Sequence, residues 1–168
     1  MPFSGTINKT HIQLKLGGVK MSSKTFIILK PDALERGLVD QITGRFLKAG
    51  FKIEHIHYRV VDYRLIKEHY KEVILREGEG FKDWLKTAFV GKPTIPMILG
   101  HDSDDGITIA RELIGHYRPD RAKPGTIRHD YGIPVLDPSL PSMNLVHASD
   151  SQDAYNKEKN LWFKATLY

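Results

Sequence analysis

Cysteine is absent from the 168-residue chain, which rules out a disulfide framework, a thiolate zinc site and a cysteine nucleophile. Long apolar runs are also missing. The stretch Thr25-Phe26-Ile27-Ile28-Leu29 is among the longest, far short of the roughly 20 residues that cross a bilayer as a helix. A soluble, cytoplasmic protein without membrane association is therefore expected. Neither familiar phosphate cradle is present. Gly91-Lys92 runs into Pro93 without the earlier glycine of a G-x-x-x-x-G-K-[ST] loop, and Gly78-Glu79-Gly80 is not completed to G-x-G-x-x-G. The absence of an H-E-x-x-H pattern or a Cys/His cluster argues against a protein-held zinc. Any phosphate must be met by side-chain cations.

What is present fits one compact domain. Apolar residues make up 40% of the chain, enough for a continuous core, and neither repeats nor a low-complexity tract divide it. The formal net charge of +5 favours anionic partners: nucleotides, nucleic acid or acidic lipid. Residues 1–20 carry Lys9, Lys15 and Lys20 and no acid, without the apolar core of a secretory signal or the arginines of a transit segment. They read as an extension outside the fold, with Met21 an alternative start, and residues 21–168 read as the domain.

Thr25 to Leu29 reads as a buried strand that Pro31 terminates, placing Lys30 at its end. Leu38, Ile42, Phe46 and Ala49 recur at helical spacing before Gly50, so 38–49 is a helix, and Phe51 to Asp62 follows as a long strand. Leu65, Ile66, Tyr70 and Val73 mark a second helical stripe. Phe81, Trp84, Leu85, Ala88 and Phe89 mark a third beyond the Gly78–Gly80 break. Thr94 to Leu99 is a strand, and Ile107, Ala110, Leu113 and Ile114 form a helix ending at Gly115. From His116 to Pro141 the chain holds five prolines and reads mostly as a long loop. Asn144 to His147 makes a short strand, and Ser149 or Asp150 caps a last helix running to about Leu161. This order predicts an α+β, ferredoxin-like sandwich: a mostly antiparallel, four-stranded sheet with helices covering one face.

Two segments can carry chemistry. Arg118 to Arg128 gathers several cations between chain-stiffening prolines, with Arg111 upstream on a helix, and guanidinium groups match phosphate oxygens. The same loop taken alone is equally readable as a solvated basic surface. Asn144-Leu145-Val146-His147-Ala148-Ser149-Asp150 sets a histidine between a strand and a helix N-terminus, where backbone N–H groups favour an anion. Neutral imidazole is nucleophilic. A structural histidine fits that position too.

Taken together and in order, several segments resemble the nucleoside diphosphate kinase family. They are Lys30-Pro31-Asp32 with Glu35-Arg36-Gly37-Leu38, Lys67-Glu68-His69-Tyr70, Lys123 to Arg128, Asn144-x-x-His147-x-Ser149-Asp150-Ser151, and Glu158 with Leu161-Trp162-Phe163. The likeness spans about Thr25 to Phe163. It implies a ping-pong transfer of the γ-phosphate of a nucleoside triphosphate to a nucleoside diphosphate, with His147 as the nucleophile. Glu158, helped by Ser149, would orient the imidazole. Lys30, Tyr70, Arg111 and Arg128 would surround the phosphates. Lys30 and Asn144 would meet the sugar hydroxyls. Phe81 would stack on the base, with Leu85 and Val135 lining the cleft. Asp150 would approach Mg²⁺ through water. The resemblance also implies a homo-oligomer, hexamer or tetramer.

The chain departs from the family pattern at Ala148, where glycine is usual, at Tyr117, where threonine is usual, and in a longer link over Leu136 to Met143. A competing reading is a non-catalytic module that holds nucleotide or nucleic acid on the same fold. The K/R-G-F/Y-G/A-F-V-x-F/Y signature of RNA-recognition domains is absent.

Overall fold

The computed structural model describes residues 23–137 and 141–163. The extension expected over residues 1–20 lies outside them. Strand β1 (Ser23–Leu29) is the apolar run, and every residue from Thr25 onward is buried. Its side chains alternate between two cores. Ile27 and Leu29 enter one, Phe26 and Ile28 the other. Burial on both faces is why the strand reads as a continuous hydrophobic run rather than an alternating one.

β1 lies at the centre of the sheet, antiparallel to β4 (Pro93–His101) on one side and to β5 (Val146–Ala148) on the other. β2 (Lys52–Ile56) and β3 (Arg59–Val60) follow one another along the far edge of β4, both antiparallel to it. They are the strand expected over Phe51 to Asp62, broken where the register shifts between Ile53 and His55 and again at His57-Tyr58. Counting that interrupted strand once, the sheet has four positions in the order β2/β3, β4, β1, β5. This is the ferredoxin-like α+β arrangement.

Helices cover both faces, not one. α2 (Val39–Lys48) and α6 (Gly106–Ile114) bring Ile42, Phe46, Ala110 and Ile114 to the first core. The second face is covered by α3 (Tyr63–His69), α5 (Glu79–Phe89) and α8 (Gln152–Phe163), through Leu65, Ile66, Leu85, Phe89, Tyr155 and Trp162. A strand that buries both Ile27 and Ile28 needs a layer on each side. Leaving one face bare would cost about 1.5–3 kcal/mol for each large apolar side chain exposed. α4 (Lys71–Glu77) links α3 to α5, and a short α1 (Pro31–Glu35) begins directly behind Lys30 with proline in its first turn.

The segment from His116 onward is less loop-like than expected. It contains a 3₁₀ turn at Pro119–Arg121 and α7 (Ile127–Tyr131), which carries the buried Ile127 and Arg128. α8 is capped by Ser151, whose hydroxyl accepts from the Ala154 N–H at 3.1 Å. Ser149, one of the two expected caps, is turned inward instead, with its hydroxyl on Glu158.

Candidate active site

Pairing register positions the histidine. His147 on β5 lies opposite Ile28 of β1, so it shares the face of Phe26 and Ile28, beneath α3 and α8. Val146 and Ala148 point to the opposite core. The last turn of α3 then delivers His69 and the adjoining Tyr70, and the middle of α8 delivers Glu158.

His147 Nε2 lies 2.9 Å from Glu158 Oε1. The other carboxylate oxygen of Glu158 accepts from the Ser149 hydroxyl. With both oxygens occupied, the carboxylate is fixed as an acceptor, and Nε2 must carry the proton. Nδ1 is left with its lone pair and takes no hydrogen bond among the described residues. Burial, followed by the charges of Lys30, Arg128 and Arg111, pushes the His147 imidazole well below its ordinary pKa, so the ring is neutral. Burial raises the pKa of Glu158, with His69 and the Ser149 hydroxyl opposing.

Three cations surround the imidazole closely enough to act on it, and none has an acidic partner among the described residues. Lys30 is 8% exposed, and its Nζ donates to Asn144 Oδ1 at 2.6 Å. Burial and then Arg128 lower its pKa to about 7. Asn144 is itself held by donating to the Tyr117 carbonyl at 2.8 Å. Arg128, 3% exposed, donates to the carbonyls of Gly115 at 2.9 Å and Val146 at 2.7 Å, while its Nε has no partner. Burial and the charge of Arg111 bring it to about 10. Arg111 donates to the Ala148 carbonyl at 3.1 Å. Tyr70 packs its ring 6.4 Å from His147 and 5.8 Å from Phe81, and burial raises its phenol pKa, keeping it a donor.

Phe81 is half-buried and stacks on Trp84 at 5.6 Å. Leu85 is fully buried in the second core instead of facing an opening. Val135 is half-buried in the long loop, and its carbonyl accepts from Arg118 at 3.4 Å. Asp150 is exposed just beyond β5, and its charge acts on His147. Two of the departures from the family pattern can be placed, and the third, the link over Leu136 to Met143, lies partly outside the described residues. Ala148 is fully buried with its carbonyl on Arg111, and Tyr117 is 59% exposed with its carbonyl on Asn144.

Three residues of the site had no role assigned from sequence. His69 packs edge-on against His147 with centroids 4.6 Å apart and accepts from Trp162 Nε1 at 3.2 Å. Burial, then His147, lowers it to about 3. Asp32 accepts from the Leu145 N–H at 3.0 Å, while the Leu145 carbonyl accepts from Lys30 N at 2.8 Å. Leu145 is thereby held at φ 69°, a conformation few non-glycine residues adopt. Asp32 was visible as the last residue of Lys-Pro-Asp, and His69 as the neighbour of Tyr70. Nothing in the sequence marks the left-handed turn at a leucine.

Magnesium favours oxygen ligands and retains several waters. The exposed Asp150 carboxylate fits an outer contact of that kind. The group formed by His69, His147 and Glu158, whose ligand atoms lie within 4.8 Å of one another, does not. Two of its members offer nitrogen, and His69 Nδ1 and His147 Nε2 are already engaged.

Comparison with known proteins points to a single family. The family model for nucleoside diphosphate kinase matches residues 23–167. A nucleoside diphosphate kinase of Staphylococcus saprophyticus is 36% identical over 142 residues, covering 84% of this chain and 88% of that protein. One from Thermococcus kodakarensis is 37% identical over 145 residues, covering 86% and 79%. Among solved structures, a transition-state mimic of the Borrelia burgdorferi enzyme with bound vanadate and ADP superposes with a TM-score of 0.77 at 28% identity, covering 84% of this chain and 87% of that one. The NDP kinase of Pyrobaculum aerophilum gives 0.73 at 32% identity, covering 85% and 96%. With the family model spanning nearly the whole described domain and relatives of one name above 30% identity, the chain belongs to the nucleoside diphosphate kinase family.

Proposed function

We propose that His147 is the phosphoryl carrier in the nucleoside diphosphate kinase activity of this chain. The observation that carries the assignment is the 2.9 Å contact between His147 Nε2 and Glu158 Oε1, which favours the proton on Nε2. Nε2–H is committed to Glu158 and Nδ1 is free, so a neutral imidazole presents its lone pair without first losing a proton. Nδ1 attacks the γ-phosphorus of a nucleoside triphosphate. The Nδ1–P bond forms, the P–O bond to the β-phosphate breaks, and the diphosphate departs with the bonding electrons. The ring, still protonated at Nε2, becomes cationic, and the Glu158 carboxylate stabilises that charge. A second diphosphate then takes the phosphoryl group back through the reverse steps.

Lys30, Arg111 and Arg128 meet the transferring oxygens, and Tyr70 donates its phenol proton to the same region. Donors already aimed at the developing charge need no reorganisation during the reaction. Lys30 and Asn144 take the sugar hydroxyls. Phe81 stacks on the base and tolerates its identity because every base has a π-face. Asp150 would hold Mg²⁺ through water, and the ion, when bound, would neutralise charge on the phosphate chain.

The reading extends to a homo-oligomer, hexamer or tetramer. The outer edge of β2 and β3 supports it, since Ile53, Ile56 and Val60 are exposed there and, among the described residues, β2 pairs only with β4. A monomeric mass by light scattering would contradict it. Among the described residues no helix is long and apolar enough to cross a membrane, in keeping with a cytoplasmic site of action, which fractionation would check.

The central test is a phosphoenzyme assay with γ-labelled ATP and Mg²⁺, quenched in alkali where phosphohistidine survives. Label should appear on the protein, be absent from His147→Ala, and leave as new triphosphate when a diphosphate is added. Label persisting in His147→Ala would overturn the assignment.

A further inference from the structure

His69 takes no part in the transfer steps above, yet it touches the nucleophile. Its Nε2 is shut off from solvent and has no hydrogen-bond partner among the described residues. Trp162 decides what that atom is. An indole nitrogen can only donate, and Trp162 Nε1 donates to His69 Nδ1 at 3.2 Å, so the one proton of the neutral His69 ring sits on Nε2. Burial keeps the ring neutral, with its pKa lowered to about 3. Trp162 is held in turn, being 1% exposed with its carbonyl accepting from Arg59 at 2.6 Å.

Buried N–H groups are ordinarily paired, and one left open beside a reactive atom is matched when the reaction delivers an acceptor. The two imidazoles meet edge-on with centroids 4.6 Å apart, and a nitrogen of each lies within 4.8 Å of the other and of a Glu158 carboxylate oxygen. Glu158 does not use the donor, since its two oxygens already accept from His147 and from the Ser149 hydroxyl. A phosphoryl group on His147 Nδ1 brings three strong acceptor oxygens to this corner.

Resting on the assignment of His147 as phosphoryl carrier, we propose that His69 is a further catalytic residue, its Nε2–H donating to an oxygen of the phosphoryl group as that group settles on His147. The donor adjoins the imidazole ring, so the oxygens within its reach are those drawn toward Nδ1. The bond forms with the N–P bond. It therefore favours the transition state and the phosphoenzyme without tightening the binding of nucleotide.

The test measures the equilibrium between protein with ATP and phosphoprotein with ADP, from the label retained at fixed ATP to ADP ratios, in the parent, His69→Leu and His69→Gln. Loss of a hydrogen bond to a charged acceptor should lower that constant roughly 10- to 100-fold in His69→Leu, while calorimetric ADP affinity stays unchanged. His69→Gln keeps an N–H donor and should recover much of the loss. A merely structural role would shift ADP affinity as well, and Gln would not restore the constant. In the parent, the NMR signal of the His69 Nε2–H should move downfield on phosphorylation and stay in place when ADP alone binds. That measurement needs no variant at position 69, so it decides the matter even where His69→Leu does not fold. Equal constants in parent and His69→Leu, or an Nε2–H signal indifferent to phosphorylation, would overturn this proposal alone. Absence of label from the parent would overturn the kinase reading with it.

Discussion

Lys30 titrates where an assay can see it. Burial and the neighbouring Arg128 bring its pKa to about 7 in the free protein, whereas an ammonium surrounded by phosphate oxygens recovers its ordinary value near 10.4. Nucleotide binding must then draw a proton from solution. At pH 8 only about 9% of the free protein carries the proton, and nearly all of the complex does, so about 0.9 proton is taken up per nucleotide. At pH 6 the uptake from this group falls to about 0.1. His147 does not interfere, since its pKa lies well below the ordinary value, and nucleotide phosphates are fully ionised by pH 8. The same linkage weakens affinity about tenfold per pH unit between roughly pH 8 and 10. Isothermal calorimetry of ADP binding in two buffers of different ionisation enthalpy measures the uptake directly. Lys30→Met should bind more weakly and take up almost no proton at pH 8. Unchanged uptake in Lys30→Met, or none in the parent, would refute the reasoning.

The buried His69 makes the fold acid-sensitive: its pKa is lowered to about 3, so between about pH 6.5 and 3 the unfolded chain binds a proton that the folded chain does not. Stability is lost as pH falls through that window, by about 1.4 kcal/mol per pH unit per group, and the shift of the urea midpoint between pH 7 and 5 should shrink in His69→Gln. Gly115 stands at φ +84°, where an added Cβ would meet Thr126 Oγ1 at 2.4 Å and Cβ at 2.7 Å, and its carbonyl holds Arg128. Gly115→Ala should therefore cost about 1–3 kcal/mol in denaturant unfolding and raise the KM for nucleotide, whereas an unchanged KM would detach Arg128 from the substrate.

Legibility of the fold followed how completely local pattern and tertiary demand agreed. β1, β4, α2 and α6 were readable because their apolar positions match either a continuous buried run or the helical period. That β1 is covered on both sides was implicit in Phe26, Ile27, Ile28 and Leu29 being consecutive, yet the strand order alone suggested a one-sided sheet. α7 was hidden because Pro124, Gly125 and Gly132 crowd its ends, leaving a five-residue helix with little periodicity to detect. The α8 cap fell to Ser151 because Ser149 was drawn to Glu158, a contact across nine residues and two elements. Within the site, Glu158, Lys30, Arg128 and Arg111 all lie close enough to His147 to act on it. Leu85 did not reach the opening, since helical spacing cannot tell the cleft side of α5 from its core side. The left-handed backbone at Leu145 comes from long-range bonds to Lys30 and Asp32, and no local propensity foretells it.

The partners chosen by the cations explain why the site is ready for substrate. A buried guanidinium is most cheaply satisfied by a carboxylate, but a carboxylate would compete with phosphate and neutralise the field that attracts it. Arg128 is instead held by the carbonyls of Gly115 and Val146, Arg111 by that of Ala148, and Lys30 by the amide oxygen of Asn144. These neutral acceptors fix geometry, and the nearby Asp32 offsets the charge of Lys30 and Arg128 less than burial opposes it. The cost appears as the lowered pKa values of Lys30 and Arg128, a strain that an incoming polyphosphate relieves. Two of the four acceptors lie on β5 itself, on either side of His147, so the strand that carries the nucleophile also aims the arginines at it. Moving β5 by one residue would displace the imidazole and both arginine anchors together. The left-handed turn at Leu145 guards that register, because its backbone is tied to Lys30 and Asp32 at the end of β1, immediately before β5 begins.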